Sequence, residues 1–260
     1  MRVLVCVKRV PAPGAKINIT ADGQAVDTAY LAFTTSPHEE CAVEAAVQLV
    51  EQHGGESTVL TLGPAEADEQ LRYAASIGVN KAVLLPIETD QSGRGDWDPQ
   101  RTAAAITAAI RSLEAADGAF DVILFGNESA DSGNFQVGVR VAHALGRPMV
   151  NGIKGIDIDG SSLRARREAD AGVEVYSLQM PVVLGVKEGI NLPRYPTLKG
   201  RLASKKVEVA QVTPQGAAGG QQMITLVQAA EQASQTVILG HGPEAAPAVV
   251  DLLEELGVLK

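Results

Sequence analysis

Apolar and polar positions follow two different periods along this chain. Residues 2–7 (RVLVCV), 58–62, 81–86 and 122–125 are short apolar runs bounded by Gly, Pro or charge, the composition of buried parallel strands. Between them the apolar positions fall at helical spacing. Ala42, Ala46 and Leu49 share one face of a helix that runs to Gly54-Gly55, and a second helix follows the Gly63-Pro64 turn as far as Ile77. Asp98-Pro99 opens a third helix that ends near Gly118. Val137, Val141 and Leu145, at four-residue steps, mark a fourth, which Gly146 closes and Pro148 stops. Ser36-Pro37-His38-Glu39 is a sharp helix start, with Ser36 as the cap, Pro37 at the first helical position and Glu39 completing a capping box. Strands alternating with helices predict an α/β fold, a Rossmann-like parallel sheet with helices on both faces and right-handed crossovers.

Beyond Val150 the period changes. Residues 156–158, 163–166 and 173–179 alternate apolar and polar side chains around turns at 159–160 and 170–172, which predicts an antiparallel margin to the sheet. Residues 181–186 return to buried-strand composition. With two prolines and two glycines, residues 187–206 read as an exposed, structured loop, neither helix nor strand. Residues 16–34 read as a hairpin around Ala21-Asp22-Gly23. Residues 213–221 are rich in Pro, Gly, Ala and Gln and read as a linker. A short apolar run, 236–239, and a helix, 245–256, follow it, the helix presenting Val249, Leu252, Leu253 and Leu256 on one side. The division expected is an α/β domain over 1–212 and an arm over 213–260 that packs on a partner subunit.

Composition narrows the classes of function. A chain of 260 residues, 45% hydrophobic, can bury a sizeable core. No apolar run reaches the ~18–20 residues of a membrane helix, and the first strand begins with no signal-peptide pattern ahead of it. Cys6 and Cys41 lie in apolar settings, as free thiols of a reducing compartment do, so the expected location is cytoplasmic. A formal charge of −9 and 3% aromatic residues argue against nucleic acid as a partner.

The strand, loop and helix over 121–146 carry the strongest chemical signal. Val122-Ile123-Leu124-Phe125 stops at Gly126, a polar loop runs from Asn127 to Asn134 with Gly133 near its end, and a helix follows. That unit points unpaired backbone N–H groups and a helix N-terminus at whatever lies above the sheet, and an anion, most often a phosphate, is the natural occupant. Within the loop, Asp131 reads as a loop-shaping residue, since its charge would repel a phosphate. Lys8 and Arg9 stand at the carboxyl end of the first strand, where ligands of open α/β sheets bind, although two charges alone read as a solvated strand end. No G-x-G-x-x-G, P-loop, nucleophile elbow or metal-ligand spacing of the four histidines occurs, so a binding or carrier role is expected rather than catalysis. Glu168 and Asp170 fall in a polar hairpin.

Four segments, V-K-R-V-P, S-P-H-E-E-C-A-V-E-A-A-V-Q-L, L-F-G-N-E-S-A-D-S-G-N-F-Q-V-G and I-N-L-P-R-Y-P-T-L-K-G, resemble in order and spacing the β subunit of electron transfer flavoprotein, over residues 1 to about 209. The resemblance implies an electron carrier rather than an enzyme. It implies a heterodimer with an α subunit that carries most of the FAD site, a β subunit that holds AMP, dehydrogenases as donors, and a membrane quinone reductase or another acceptor. It implies adenosine-side contacts from Cys6, Ser36, Pro37, His38 and Glu39, with His38 also near the flavin bound by the α subunit. Leu62 becomes a further nucleotide contact. The phosphate-binding segment becomes Gly126, Asn127, Asp131, Ser132, Gly133, Asn134, Gln136, Val137 and Gly138. Leu198, flanked by Arg194 and Tyr195, becomes the anchor of a loop that docks dehydrogenases, and Glu168 a carboxylate that positions the flavin domain.

Departures from the family pattern keep alternatives open. Ser36 stands where an asparagine is common, and Val137 where a threonine hydroxyl is common. A second FAD in place of AMP, as in electron-bifurcating relatives, is one alternative. A stand-alone adenine-nucleotide-binding α/β protein is the other.

Overall fold

The computed structural model describes residues 1–87, 97–216, 219–230 and 236–259. Its elements in chain order are β1 (Arg2–Cys6), β2 (Val10–Pro11), β3 (Asn18–Ile19), β4 (Val26–Asp27), β5 (Phe33–Thr34), α1 (Pro37–His53), β6 (Glu56–Gly63), α2 (Asp68–Ile77), β7 (Lys81–Pro86), α3 (Pro99–Asp117), β8 (Val122–Gly126), α4 (Val137–Leu145), β9 (Met149–Asp159), β10 (Ser162–Ala169), β11 (Gly172–Gln179), β12 (Val182–Val186), α5 (Leu198–Ser204), β13 (Val209–Gln211) and α6 (Ala246–Glu255). Single 3-10 turns precede α2 and α6. The described residues fall into two compact units, Met1–Leu226 and Val227–Lys260. Among them no helix is long and apolar enough to cross a membrane.

A nine-stranded sheet, ordered β11-β10-β9-β12-β8-β1-β6-β7-β13, organises the first unit. Seven strands, from β9 to β13 in that order, run parallel, and β9, β10 and β11 form the antiparallel meander. The α/β reading and its antiparallel margin hold. The parallel strands read as unbroken apolar runs because both faces are covered. On β1, Val3, Val5 and Val7 pack with α1 and α2 on one face, while Leu4 and Cys6 pack with α3 and α4 on the other. Ala42, Ala46 and Leu49 are buried as their spacing requires.

The strand order places a crevice. From β1 the chain moves to β6 and β7 on one side and then returns to β8 on the other, so the order reverses between β1 and β8. Loops leaving the carboxyl ends of those two strands splay apart, and ligands of open α/β sheets bind there.

Two local expectations change. The hairpin around Ala21-Asp22-Gly23 forms as β3–β4, but its outer residues belong to a second pair, in which β5 returns to β2. The stretch from Asp90 to Trp97, which reads as a polar loop in the sequence, lies, apart from Trp97, outside the described residues. Residues 187–206 are not loop throughout, because Thr197 caps a short helix, α5, with its hydroxyl accepting from the Gly200 N–H at 3.0 Å. The prolines that made this stretch read as loop end before the cap, and Gly200 serves as a packing point. The first unit also reaches past the expected linker: Gln221 N–H donates to Asp98 Oδ2 at 3.0 Å, and Leu226 N–H to the Gly23 carbonyl at 2.8 Å.

A Cβ at Gly200 would overlap the backbone carbonyl oxygen of Ser76 at the end of α2. That oxygen cannot swing aside as a side chain could. Gly200→Ala therefore costs about 1–3 kcal/mol of overpacking, more than the ~1 kcal/mol of helix propensity it gains. Its melting temperature should fall by about 2–4 °C for each net kcal/mol lost. A thermal melt equal to or above wild type would show that α5 is not seated on α2.

Candidate functional site

The crevice at the switch point is a cavity of about 260 Å³. Cys6, Lys8 and Arg9 wall it after β1, Leu62 to Pro64 after β6, and the segment from Gly126 to Val139 supplies much of its lining after β8. Glu39, in the first turn of α1, contributes from below.

Glu39 holds these walls together. One carboxylate oxygen accepts the Lys8 N–H at 2.9 Å and the other the Ser36 N–H at 2.9 Å, while Ser36 Oγ accepts the Glu39 N–H at 3.2 Å. The capping box forms as its residues require. It also ties the end of β1 to the start of α1. Gly126 presses on it, and a Cβ there would lie 2.7 Å from Glu39 Cγ. Glycine at 126 is therefore required by packing. Burial pushes the Glu39 carboxyl up to about 7, against the hydrogen bonds from Ser36 and Lys8 and the charge of Lys8, which favour the ionised form. Burial, with Glu39 adding to it, also pushes the Cys6 thiol up, so this cysteine lines the cavity as a neutral, unreactive group.

The loop after β8 is built by short polar contacts. Asp131 Oδ1 accepts the Ser132 N–H at 2.7 Å, an Asx-type contact, and its other oxygen sits 2.6 Å from Lys8 Nζ. Although burial raises the Asp131 carboxyl, Lys8 brings it below its ordinary value. Ser129 and Ser132 share a hydroxyl contact at 3.0 Å. Gly133 has φ of +53°, where any side chain is strained. Phe135 has φ of +55°, a conformation that costs an L-residue about 1–2 kcal/mol. Beyond it α4 begins at Val137, with no side-chain cap on its N-terminus. Arg9 stacks its guanidinium 3.5 Å from the centre of the Phe33 ring, and its buried Nε has no hydrogen-bond partner among the described residues.

Comparison with known proteins places this geometry. The electron transfer flavoprotein domain family matches residues 25–216. The chain belongs to the electron transfer flavoprotein family. It is 36% identical over 211 residues to the electron transfer flavoprotein subunit beta of Syntrophomonas wolfei, which covers 81% of this chain and 79% of that one. To the protein of the same name from Bacillus subtilis it is 35% identical over 171 residues, 66% of this chain and 63% of the relative. To Protein FixA of Azorhizobium caulinodans it is 32% identical over 212 residues, 80% of this chain and 74% of the relative.

Of the residues expected to bind a cofactor in a member of this electron transfer flavoprotein family, Cys6, Glu39, Leu62, Gly126, Asn127, Ser132, Asn134, Gln136, Val137 and Gly138 line this cavity. Ser36, Pro37, His38, Asp131 and Gly133 do not line it. Ser36 and Pro37 start α1, Asp131 holds Lys8, and Gly133 turns the loop. His38 joins two loops instead: its Nδ1 accepts the Glu188 N–H at 2.8 Å, and its Nε2 lies 3.5 Å from Glu128. Lys8 and Arg9, which alone read as a solvated strand end, are both cavity walls. Phe135 and Val139 are cavity residues with no signal in the sequence, because their place depends on the loop's turn and not on a motif. An orphaned guanidinium Nε, a lysine, two serine and three asparagine side chains and an uncapped helix N-terminus suit a phosphate-bearing ligand.

Outside the cavity, Glu168 on β10 pairs with Lys154 at 2.7 Å. Arg194 is engaged within the chain, forking onto Glu44 (2.9 Å) and Glu51 (2.7 and 2.8 Å) of α1. These bonds, from Glu51 first and Glu44 second, raise its guanidinium further above the physiological range. Asn191 adds a bond to the Cys41 carbonyl at 3.0 Å. Tyr195 (89% exposed) and Leu198 (76% exposed) point outward from the loop so anchored.

The position of Glu39 has a pH consequence. Its carboxyl is raised in the folded chain relative to an ordinary 4.5, so the fold binds the proton more tightly than the unfolded chain does. Its contribution to stability is present below about 4.5 and is lost as pH rises to about 7. Against Glu39→Gln, wild type should lose stability over that window with a slope of at most ~1.4 kcal/mol per pH unit. Denaturant melts of both at pH 5, 6, 7 and 8 measure the difference. Parallel profiles would mean that Glu39 stays ionised in the fold.

Proposed function

We propose that this chain is the β subunit of an electron transfer flavoprotein. It binds AMP as a structural ligand and pairs with an α subunit that carries FAD, and the heterodimer takes electrons from dehydrogenases and passes them to a quinone reductase or another acceptor. The observation that carries the reading is the cavity at the β1–β8 switch point, with Lys8, Arg9, Ser129, Ser132 and the start of α4 converging on it, in a chain of this family. Lys8, Arg9 and the backbone around Ser132 would hold the phosphate, and Cys6, Leu62 and Val137 would give the nucleoside an apolar bed. AMP supplies no redox chemistry. This chain's part is to hold the nucleotide and to present surfaces to its partners, and none of its residues is assigned a catalytic step.

Two surfaces support the partner side of the proposal. Val249 and Leu252 on α6 and Leu256 at its C-cap are exposed in a row, which suits an arm that packs on an α subunit. The loop carrying Tyr195 and Leu198 is held by Arg194 and Asn191, so it loses little freedom on docking and suits a dehydrogenase that binds briefly. Glu168 is assigned to the positioning of the flavin domain.

Two measurements test the proposal. Denaturing the purified heterodimer and separating what it releases should give one equivalent of AMP beside FAD. Two equivalents of FAD and no AMP would assign the cavity to a second flavin, and a colourless preparation without nucleotide would sink the proposal. Leu198→Ala should slow dehydrogenase-driven reduction of the flavin about tenfold at sub-saturating concentration, the equivalent of ~1.4 kcal/mol of docking energy. Dithionite reduction should be unchanged. A wild-type rate from the dehydrogenase would make Leu198 ordinary surface.

A further inference from the structure

The loop that walls the cavity contains one residue that its own chain does not explain. Phe135 adopts φ of +55°, a region that a bulky side chain rarely enters. Gly or Asn would take this conformation readily, and Asn134 stands one residue earlier. Strained backbone persists where something in the surroundings requires it, and in proteins that is most often a ligand or a switch. Core packing among the described residues does not require it here. The Phe135 side chain is 53% exposed and takes part in neither core cluster. It does line the cavity, and so does Val139, one turn into α4 and 46% exposed. The two form an apolar lip beside the polar wall of Ser129, Ser132, Asn134 and Gln136.

We propose that Phe135 is a ligand-contact residue of this cavity, its ring laid against the planar base of the bound adenine nucleotide, with Val139 beside it. This inference rests on the reading that the cavity holds such a nucleotide. Phe135 lines the cavity while about half exposed, so its ring is within reach of a ligand bound there. Nucleobases stack on aromatic side chains through their flat faces, and purines offer a large one. The bound base covers the half of the ring that the chain leaves open, so the ligand offsets a conformation that the core does not.

The test uses the heterodimer with its full-length chains, stripped of nucleotide and titrated with AMP by calorimetry, for wild type, Phe135→Gly and Phe135→Tyr. Glycine removes the ring and accepts the positive φ, so the nucleotide-free Gly variant should melt at or above the wild-type temperature while its dissociation constant for AMP rises about tenfold. Tyrosine keeps the ring and should bind AMP as wild type does. Wild-type affinity in the Gly variant overturns the contact. A fall of several degrees in its nucleotide-free melting temperature shows that the ring supports the fold, which also overturns it. A Tyr variant as weak as the Gly variant overturns stacking. Failure of the wild type itself to bind AMP would count against the nucleotide reading, a result separate from any of these.

Discussion

The site depends on one buried carboxylate. Glu39 accepts backbone N–H groups from the end of β1 and from its own helix cap, so a single side chain fixes the separation of two elements whose connection is long and irregular. Its neighbours are arranged around that role. Gly126 is glycine so that the end of β8 can approach it, and Lys8, whose amide it holds, is free to turn its ammonium toward Asp131. Burying a carboxylate is costly, and the N–H bonds to both oxygens offset part of the cost. The remainder is the strain of keeping a carboxyl whose proton affinity lies near neutrality at the base of a binding site.

The sheet places this anchor where it can act. Because β6 and β7 lie on one side of β1 and β8 and β12 on the other, the loops after β1 and β8 diverge, and Glu39 sits in the gap between them. Alternation along β1 sends its valines to α1 and α2, and Leu4 and Cys6 to α3 and α4. Both faces are thereby sealed. The cavity has one direction in which to open, above the carboxyl edge.

Much of this was legible in the residues. Strand and helix identities followed from period, and the start of α1 from Ser36, Pro37 and Glu39, because such signals are local. The strand–loop–helix unit at the cavity was legible as a strand that ends in Gly126 ahead of a helix. Other features depend on residues distant in the chain. The role of Arg9 depends on Phe33, α5 depends on a cap that two prolines and a glycine disguised, and the use of Arg194 within the chain depends on Glu44 and Glu51, far back in α1. His38 is similar. Its spacing placed it in the first turn of α1, but its bond to the loop at 188 and its 3.5 Å approach to Glu128 belong to the assembled sheet edge. Phe135 was invisible for another reason, since a backbone angle has no signature when the residue is not glycine or asparagine.

The same distance from local signals gives the nucleotide of the proposed function, which does no chemistry, a structural part to play. The walls of the cavity leave β1, β6 and β8 separately; among the described residues Val7 is bonded to Leu60 and Thr61 across the first two, and Lys8 to Asp131 across the first and third. A ligand that touches all three walls at once supplies further connections among them. It stabilises the folded form by RT ln(1 + [L]/Kd), about 2.7 kcal/mol at a hundred times its dissociation constant. The first turns of α1 extend that benefit. Glu39 faces the cavity, while His38, Cys41 and Glu44 hold the loop that presents Tyr195 and Leu198. One helix is thus both floor of the cavity, through Glu39, and backing for the exposed loop. A ligand bound in the cavity would therefore steady the helix on which the outward-facing surface is mounted.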